Sequence, residues 1–93
     1  VVKIEVEKKE YGFRLRVNDN ESYFINDKGS WYTLVIENAD GEMIDAVDDR
    51  YENLGTRDIN DLLCKLIENP KDVLEMLIGE RLEKIEKITV EFD

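Results

Sequence analysis

The apolar residues change their spacing once, near residue 56, and that change constrains the fold more than any other feature of the chain. Before it, apolar and polar side chains alternate with period two, as a half-buried strand requires. After it they recur at three- and four-residue steps, as one face of a helix requires. A chain that runs strands first and helices second is expected to fold as α+β, with an antiparallel or mixed sheet and the helices gathered on one of its faces.

Val2, Ile4 and Val6 alternate with Lys3, Glu5 and Glu7, which predicts a first strand. Lys8-Lys9-Glu10 is short enough for a hairpin connection, and Tyr11, Phe13, Leu15 and Val17 then repeat the alternation against Gly12, Arg14 and Arg16. Asn18-Asp19-Asn20 reads as a turn, because Asn and Asp bond their own backbone and tolerate left-handed conformations. A short third strand over residues 22–25 and a glycine-closed turn over residues 26–29 follow. Residues 31–37 are the most β-prone run, with Tyr32, Leu34 and Ile36 on one face and Trp31, Thr33 and Val35 on the other. Asn38-Ala39-Asp40-Gly41 turns again, and residues 42–47 return as a fifth strand. Connections this short join antiparallel neighbours, so the strands form a meander.

In the second half Thr56 is the expected helix N-cap, with Asp58 in the first turn. Ile59, Leu62, Leu63, Leu66 and Ile67 then mark one apolar stripe. Asn69 caps a second helix that has Pro70 at its first position, where a missing N–H does no harm. Its stripe runs through Val73, Leu74, Leu77, Ile78, Leu82 and Ile85. Gly79 offers a point to bend or stop, while the Glu80–Lys84 and Glu83–Lys87 spacings argue for continuation. Residues 88–92 alternate once more and form a final strand, expected beside the first. The prediction is a sheet of five or six strands with two C-terminal helices on one face, in one domain over residues 1–93.

The chemistry-bearing residues narrow the function mostly by exclusion. There is no histidine, which removes Ser-His-Asp and Cys-His nucleophiles and the commonest metal ligand. The five glycines form no phosphate-binding loop. Cys64 sits in mid-helix, far from any N-terminus that would lower its pKa. It reads as a small apolar side chain on the flank of the buried stripe. If Gly41 is taken as the sixth position of a calcium loop, Ile36 and Val47 fall where carboxylates are required. No cofactor and no metal site is expected.

Charge carries the positive signal. The net charge is −10, yet residues 1–30 balance six basic against six acidic side chains. The excess is densest over residues 37–61, with nine acids against Arg50 and Arg57. Such a field repels phosphates and anionic lipid, so neither direct nucleic-acid binding nor membrane binding is expected. It favours a basic protein surface, and a small acidic binding module of the inhibitor, immunity-like or nucleic-acid-mimic type is the first functional expectation. Its expected contact residues are Glu42, Asp45, Asp48, Asp49, Glu52, Asp58 and Asp61, with Trp31 and Tyr51 as aromatic anchors.

An alternative is a homo-oligomeric structural or accessory protein, a homodimer for instance, that uses the sheet face bearing Trp31. The loop over residues 50–54 is then expected to cover Val35 and leave Trp31 open. A carboxylate- or metal-dependent enzyme is the last alternative, disfavoured because so short a chain rarely builds both a cleft and its support. No apolar run approaches the length needed to span a bilayer, no signal-peptide pattern is visible, and the single cysteine allows no internal disulfide. A cytoplasmic location is expected.

Overall fold

Residues 2–17, 21–79 and 88–92 are described by the computed structural model, and in it the alternation of the first half becomes a meander. The strands are β1 (Val2–Lys9), β2 (Gly12–Val17), β3 (Glu21–Asp27), β4 (Trp31–Glu37) and β5 (Met43–Arg50), each antiparallel to the next. The last strand, β6 (Ile88–Phe92), lies beside β1 as the sequence predicts, and runs parallel to it. The spatial order is therefore β5-β4-β3-β2-β1-β6, which leaves β5 and β6 as the edges.

Register fixes what each face carries. Ile4, Leu15, Phe13, Tyr23, Ile25, Tyr32, Leu34 and Ile36 share one face and are buried. Helices α1 (Ile59–Glu68) and α2 (Pro70–Ile78) close over it with Leu62, Leu66, Val73, Leu74, Leu77 and Ile78. Leu62, Leu66 and Leu74 are fully buried, each a burial that stabilises by about 1.5–3 kcal/mol. Gly12 is compelled by this packing: its φ is +151°, and a Cβ there would lie 1.7 Å from the Ile25 carbonyl oxygen.

Several boundaries differ from the sequence reading. β1 continues through Lys8 and Lys9, so the hairpin turn is Glu10-Tyr11, and Tyr11 stands exposed in the turn instead of joining the core. β3 extends to Asp27, because Asn26 and Asp27 pair with Thr33 and Tyr32. β5 runs past Val47 to Arg50, since Asp48, Asp49 and Arg50 find partners in Thr33, Tyr32 and Trp31. A 3-10 turn, Tyr51–Leu54, follows at once. The cap of α1 is Asp58, whose carboxylate accepts from the Asp61 N–H at 2.8 Å. Thr56 is buried, and its hydroxyl donates to the Tyr51 carbonyl at 2.8 Å.

On α1 the stripe is narrower than predicted. Ile67 and Cys64 are both exposed. At 3.6 residues per turn, Cys64 points roughly 160° away from both Leu62 and Leu66, so it occupies the solvent side and not the flank of the core. In α2, Pro70 stands at the first helical turn as predicted. Asn69, without a side-chain bond to the helix backbone, donates through Nδ2 to Asp72 at 2.8 Å. The described helix closes at Gly79, whose φ is +61°. Leu82, Ile85, the Glu80–Lys84 and Glu83–Lys87 spacings and the 18–20 turn lie outside the described residues.

Candidate acidic edge and open sheet face

β5 is less covered than β2, β3 or β4. Seven of its eight residues are exposed, on both of its faces. Asp45, Val47 and Asp49 pair with Ile36, Leu34 and Tyr32, which places them on the side of the sheet that the helices cover elsewhere. The helices stop short of them, and Val47 is 47% exposed. Between β5 and the end of α2 lies a groove of about 230 Å³, floored by Leu34, Ile36, Leu77 and Ile78 and rimmed by Asp45, Asp49 and Met76. The pairing slips at Ile44, which leaves that residue as a bulge near the start of the strand.

The three β5 carboxylates use local backbone and neutral donors. The Ala46 N–H donates to Asp45 Oδ1 and the Arg50 N–H to Asp49 Oδ1, each at 2.8 Å. Residues 45, 47 and 49 direct their backbone groups to β4 or away from it as a set, and residues 46, 48 and 50 as the complementary set. The carboxylates of Asp45 and Asp49 thus mask two N–H groups belonging to one edge-related set. Such charged, self-occupied edges resist indiscriminate strand pairing. Asp48 points to the opposite face and accepts from the Thr33 hydroxyl at 2.7 Å. Among the described residues, none of Asp45, Asp48 and Asp49 has a cationic nitrogen within 4.0 Å.

The other predicted contact residues are placed differently. Asp61 is held by the Arg57 N–H at 3.0 Å and lies near Lys65 Nζ at 3.7 Å. Asp58 caps α1, and Glu52 stands exposed 3.9 Å from Arg50. Glu42 is exposed just before β5, its N–H donating to Asn38 Oδ1. The structure therefore assembles Asp45, Asp48 and Asp49 along one strand and engages Asp58 and Asp61 in building the helix.

Tyr51 is 1% exposed. Its ring lies 5.1 Å from that of Tyr32, and its hydroxyl donates to Asp27 Oδ1 at 2.6 Å. Burial, then the bond to Asp27, pushes the Tyr51 phenol well above its ordinary pKa. Burial first, and then the Asp49 charge, pushes Tyr32 up to about 12. Both phenols stay protonated over the physiological range; Tyr51 ties the turn after β5 to the end of β3, and Tyr32, on β4, donates to Asp49 on β5 at 3.5 Å. Tyr51 thus presents no surface to a partner.

Trp31 is 38% exposed and shares a shallow depression with Asp48, Asp49, Arg50 and Asn53. It belongs to the second sheet face, which no described helix covers. The 51–54 turn does not shield Val35, because Tyr51 and Leu54 are buried in the core on the helix side. This open face carries the half-buried Phe24 and Val35, with the Arg14 guanidinium 6.0 Å from the Phe24 ring centroid. Arg14 also lies 3.8 Å from Glu37, and Arg16 lies 3.4 Å from Glu7. Glu7 is further bonded by Lys9, which holds its carboxyl below the usual range, helped by Arg16 and Arg14.

The sequence signal for this lattice was the alternation itself, which sets Arg14, Arg16, Glu7 and Glu37 on one face. The groove beside Met76 had no such signal, because it depends on where α2 ends over the sheet. Among the described residues there is no group of three or more His, Cys, Asp or Glu side chains placed to hold a metal, and no helix long and apolar enough to cross a membrane. No protein-family model, curated protein or solved structure matches the chain.

Proposed function

We propose that this chain is a small acidic binding module that recognises a basic segment of a partner protein along β5. The supporting observation is an eight-residue edge strand, open on both faces, whose Asp45 and Asp49 stand beside an apolar groove with no cationic nitrogen within 4.0 Å among the described residues. An extended segment adding to such an edge gains main-chain hydrogen bonds, and its alternate side chains supply specificity. Opposite Asp45, Val47 and Asp49 it would present basic, apolar and basic side chains in alternate positions. Cationic side chains arriving there would draw the two carboxylates off the Ala46 and Arg50 N–H groups. A carboxylate-pair enzyme fits less well, since Asp45 and Asp49, four residues apart on a strand, are separated by about 13 Å, beyond the spacing of glycosidase-type pairs. The exposed thiol of Cys64 suits a reducing compartment such as the cytoplasm.

The test is titration with a synthetic peptide containing Lys-Thr-Val-Thr-Lys, with Glu-Thr-Val-Thr-Glu as control. The basic peptide should bind more weakly as ionic strength rises from low to physiological. The double variant Asp45→Asn, Asp49→Asn should bind it at least about tenfold more weakly, a loss of about 1.4 kcal/mol. Equal binding of the two peptides, or binding indifferent to salt, would refute the reading.

A further inference from the structure

The open sheet face differs in charge from the rest of the molecule. Its described side chains include five cations, Lys3, Lys9, Arg14, Arg16 and Arg50, against the four anions Glu5, Glu7, Glu37 and Asp48. The whole chain carries −10. A second copy approaching the β5 edge meets Asp45 and Asp49, which have no cationic nitrogen within 4.0 Å among the described residues, whereas here it meets a balanced set of described charges. The cations gather on β1 and β2, and Glu37 and Asp48 lie on β4 and β5, with the Phe24–Val35 pair between the two halves.

We propose that two copies of this chain pack through these open faces, about a two-fold axis running along the central strand β3. That axis carries β2 over the partner's β4, and β1 over the partner's β5, without changing height along the strands. Arg16, Ser22 and Glu37 are in one cross-strand row, so Arg16 comes to lie over the partner's Glu37. Lys9, Gly12, Asn26, Thr33 and Asp48 form another row, so Lys9 faces the partner's Asp48. Phe24 meets its own copy at the axis. Trp31 reaches over the partner's β1–β2 turn, where Tyr11 is also exposed.

Among aligned packings, the other two-fold over Phe24 runs the axis across the strands, and stacks Arg14 on Arg14 and Glu7 on Glu7. Charge selects the first arrangement. The inclination of about 30° between packed sheets displaces the inner β2–β4 pairs least, which makes Arg16 and Glu37 the decisive contact.

Five strands spaced about 4.8 Å apart, the shortest of six residues at about 3.3 Å each, make a face of roughly 24 by 20 Å. Two such faces cover about 1,000 Å², the lower bound for a specific interface, so a reversible dimer is expected. The pairing leaves Asp45, Asp49 and the groove unobstructed, so it neither requires nor excludes recognition of a basic segment there.

Sedimentation velocity from low-micromolar to millimolar concentration should show the wild-type chain passing from monomer to dimer, with a parallel blue shift of Trp31 emission. Arg16→Glu and Glu37→Lys should each weaken the dimer by at least about tenfold, because each homodimer then opposes like charges twice. Mixing the two variants should restore dimerisation to within about threefold of wild type, since the mixed dimer has one native and one reversed pair. A fall in helical circular dichroism would identify a variant that had not folded, and the wild-type series then decides alone. A wild-type chain monomeric up to millimolar concentration, or folded variants whose mixture stays as monomeric as its components, would overturn the proposal.

Discussion

Replacing Tyr51 by phenylalanine removes one hydroxyl and leaves the ring against Tyr32 in place. That hydroxyl donates to Asp27 at 2.6 Å, and a hydrogen bond to a charged acceptor contributes about 1.5–3 kcal/mol. Asp27 is only half-buried, so water can take over part of the bond, and the lower figure of about 1.5 kcal/mol is expected. For a domain of this size that lowers Tm by about 6–12 °C. The effect also carries a pH signature. In the unfolded chain the phenols ionise near pH 10.0, whereas the folded chain holds the Tyr32 proton to about 12 and Tyr51 is raised as well. Between those values the unfolded state binds fewer protons, so the stability these phenols contribute is complete below pH 10.0 and is lost as pH rises above it. Tyr51→Phe deletes one of the two contributions and should flatten the alkaline decline. Urea unfolding followed by circular dichroism, at neutral pH and at steps above pH 10, reads both quantities. A variant as stable as wild type at neutral pH, with an unchanged alkaline slope, would show that the Tyr51–Asp27 bond does not hold the turn to the sheet.

Three further outcomes follow from local geometry. Gly12→Ala forces a Cβ into the Ile25 carbonyl at a positive φ, and should cost at least about 3 kcal/mol in chemical denaturation, or abolish folding. Asp58→Ala should cost about 1 kcal/mol by the same measurement, as loss of a helix N-cap does; no loss would return the cap to another residue. Cys64 should react with a thiol reagent in the native state without prior unfolding, as an exposed side chain must, and protection equal to that of a core residue would contradict its placement.

The fold was legible wherever a face was covered. Burial of one side imposes strict alternation, and Tyr32, Leu34 and Ile36 lie inside as their spacing requires. The same logic placed Leu62 and Leu66, and it put β6 beside β1 because both needed a neighbour. It failed where partners, not propensity, decide. Asp48-Asp49-Arg50 reads as a loop by composition, and becomes strand because Thr33, Tyr32 and Trp31 stand opposite. Tyr51 looked like an aromatic in an acidic loop, and is a core residue because the 3-10 turn folds it under the end of the sheet.

The acidic region was legible in the same partial way. Sequence density groups carboxylates but does not say which ones the fold employs. Asp58 and Asp61 cap and brace α1, whereas Asp45, Asp48 and Asp49 are left along an edge. That β5 is uncovered on both faces depends on where two helices end over the sheet, a tertiary fact with no local signature.

Amide chemical-shift mapping during titration with the Lys-Thr-Val-Thr-Lys peptide tests most directly whether β5 is a recognition edge. The largest shifts and the greatest gain in exchange protection should fall on Ala46, Asp48 and Arg50, with smaller changes at Leu77 and Ile78 across the groove. Changes confined to the helices, spread evenly over the surface, or absent at saturating peptide would contradict the account.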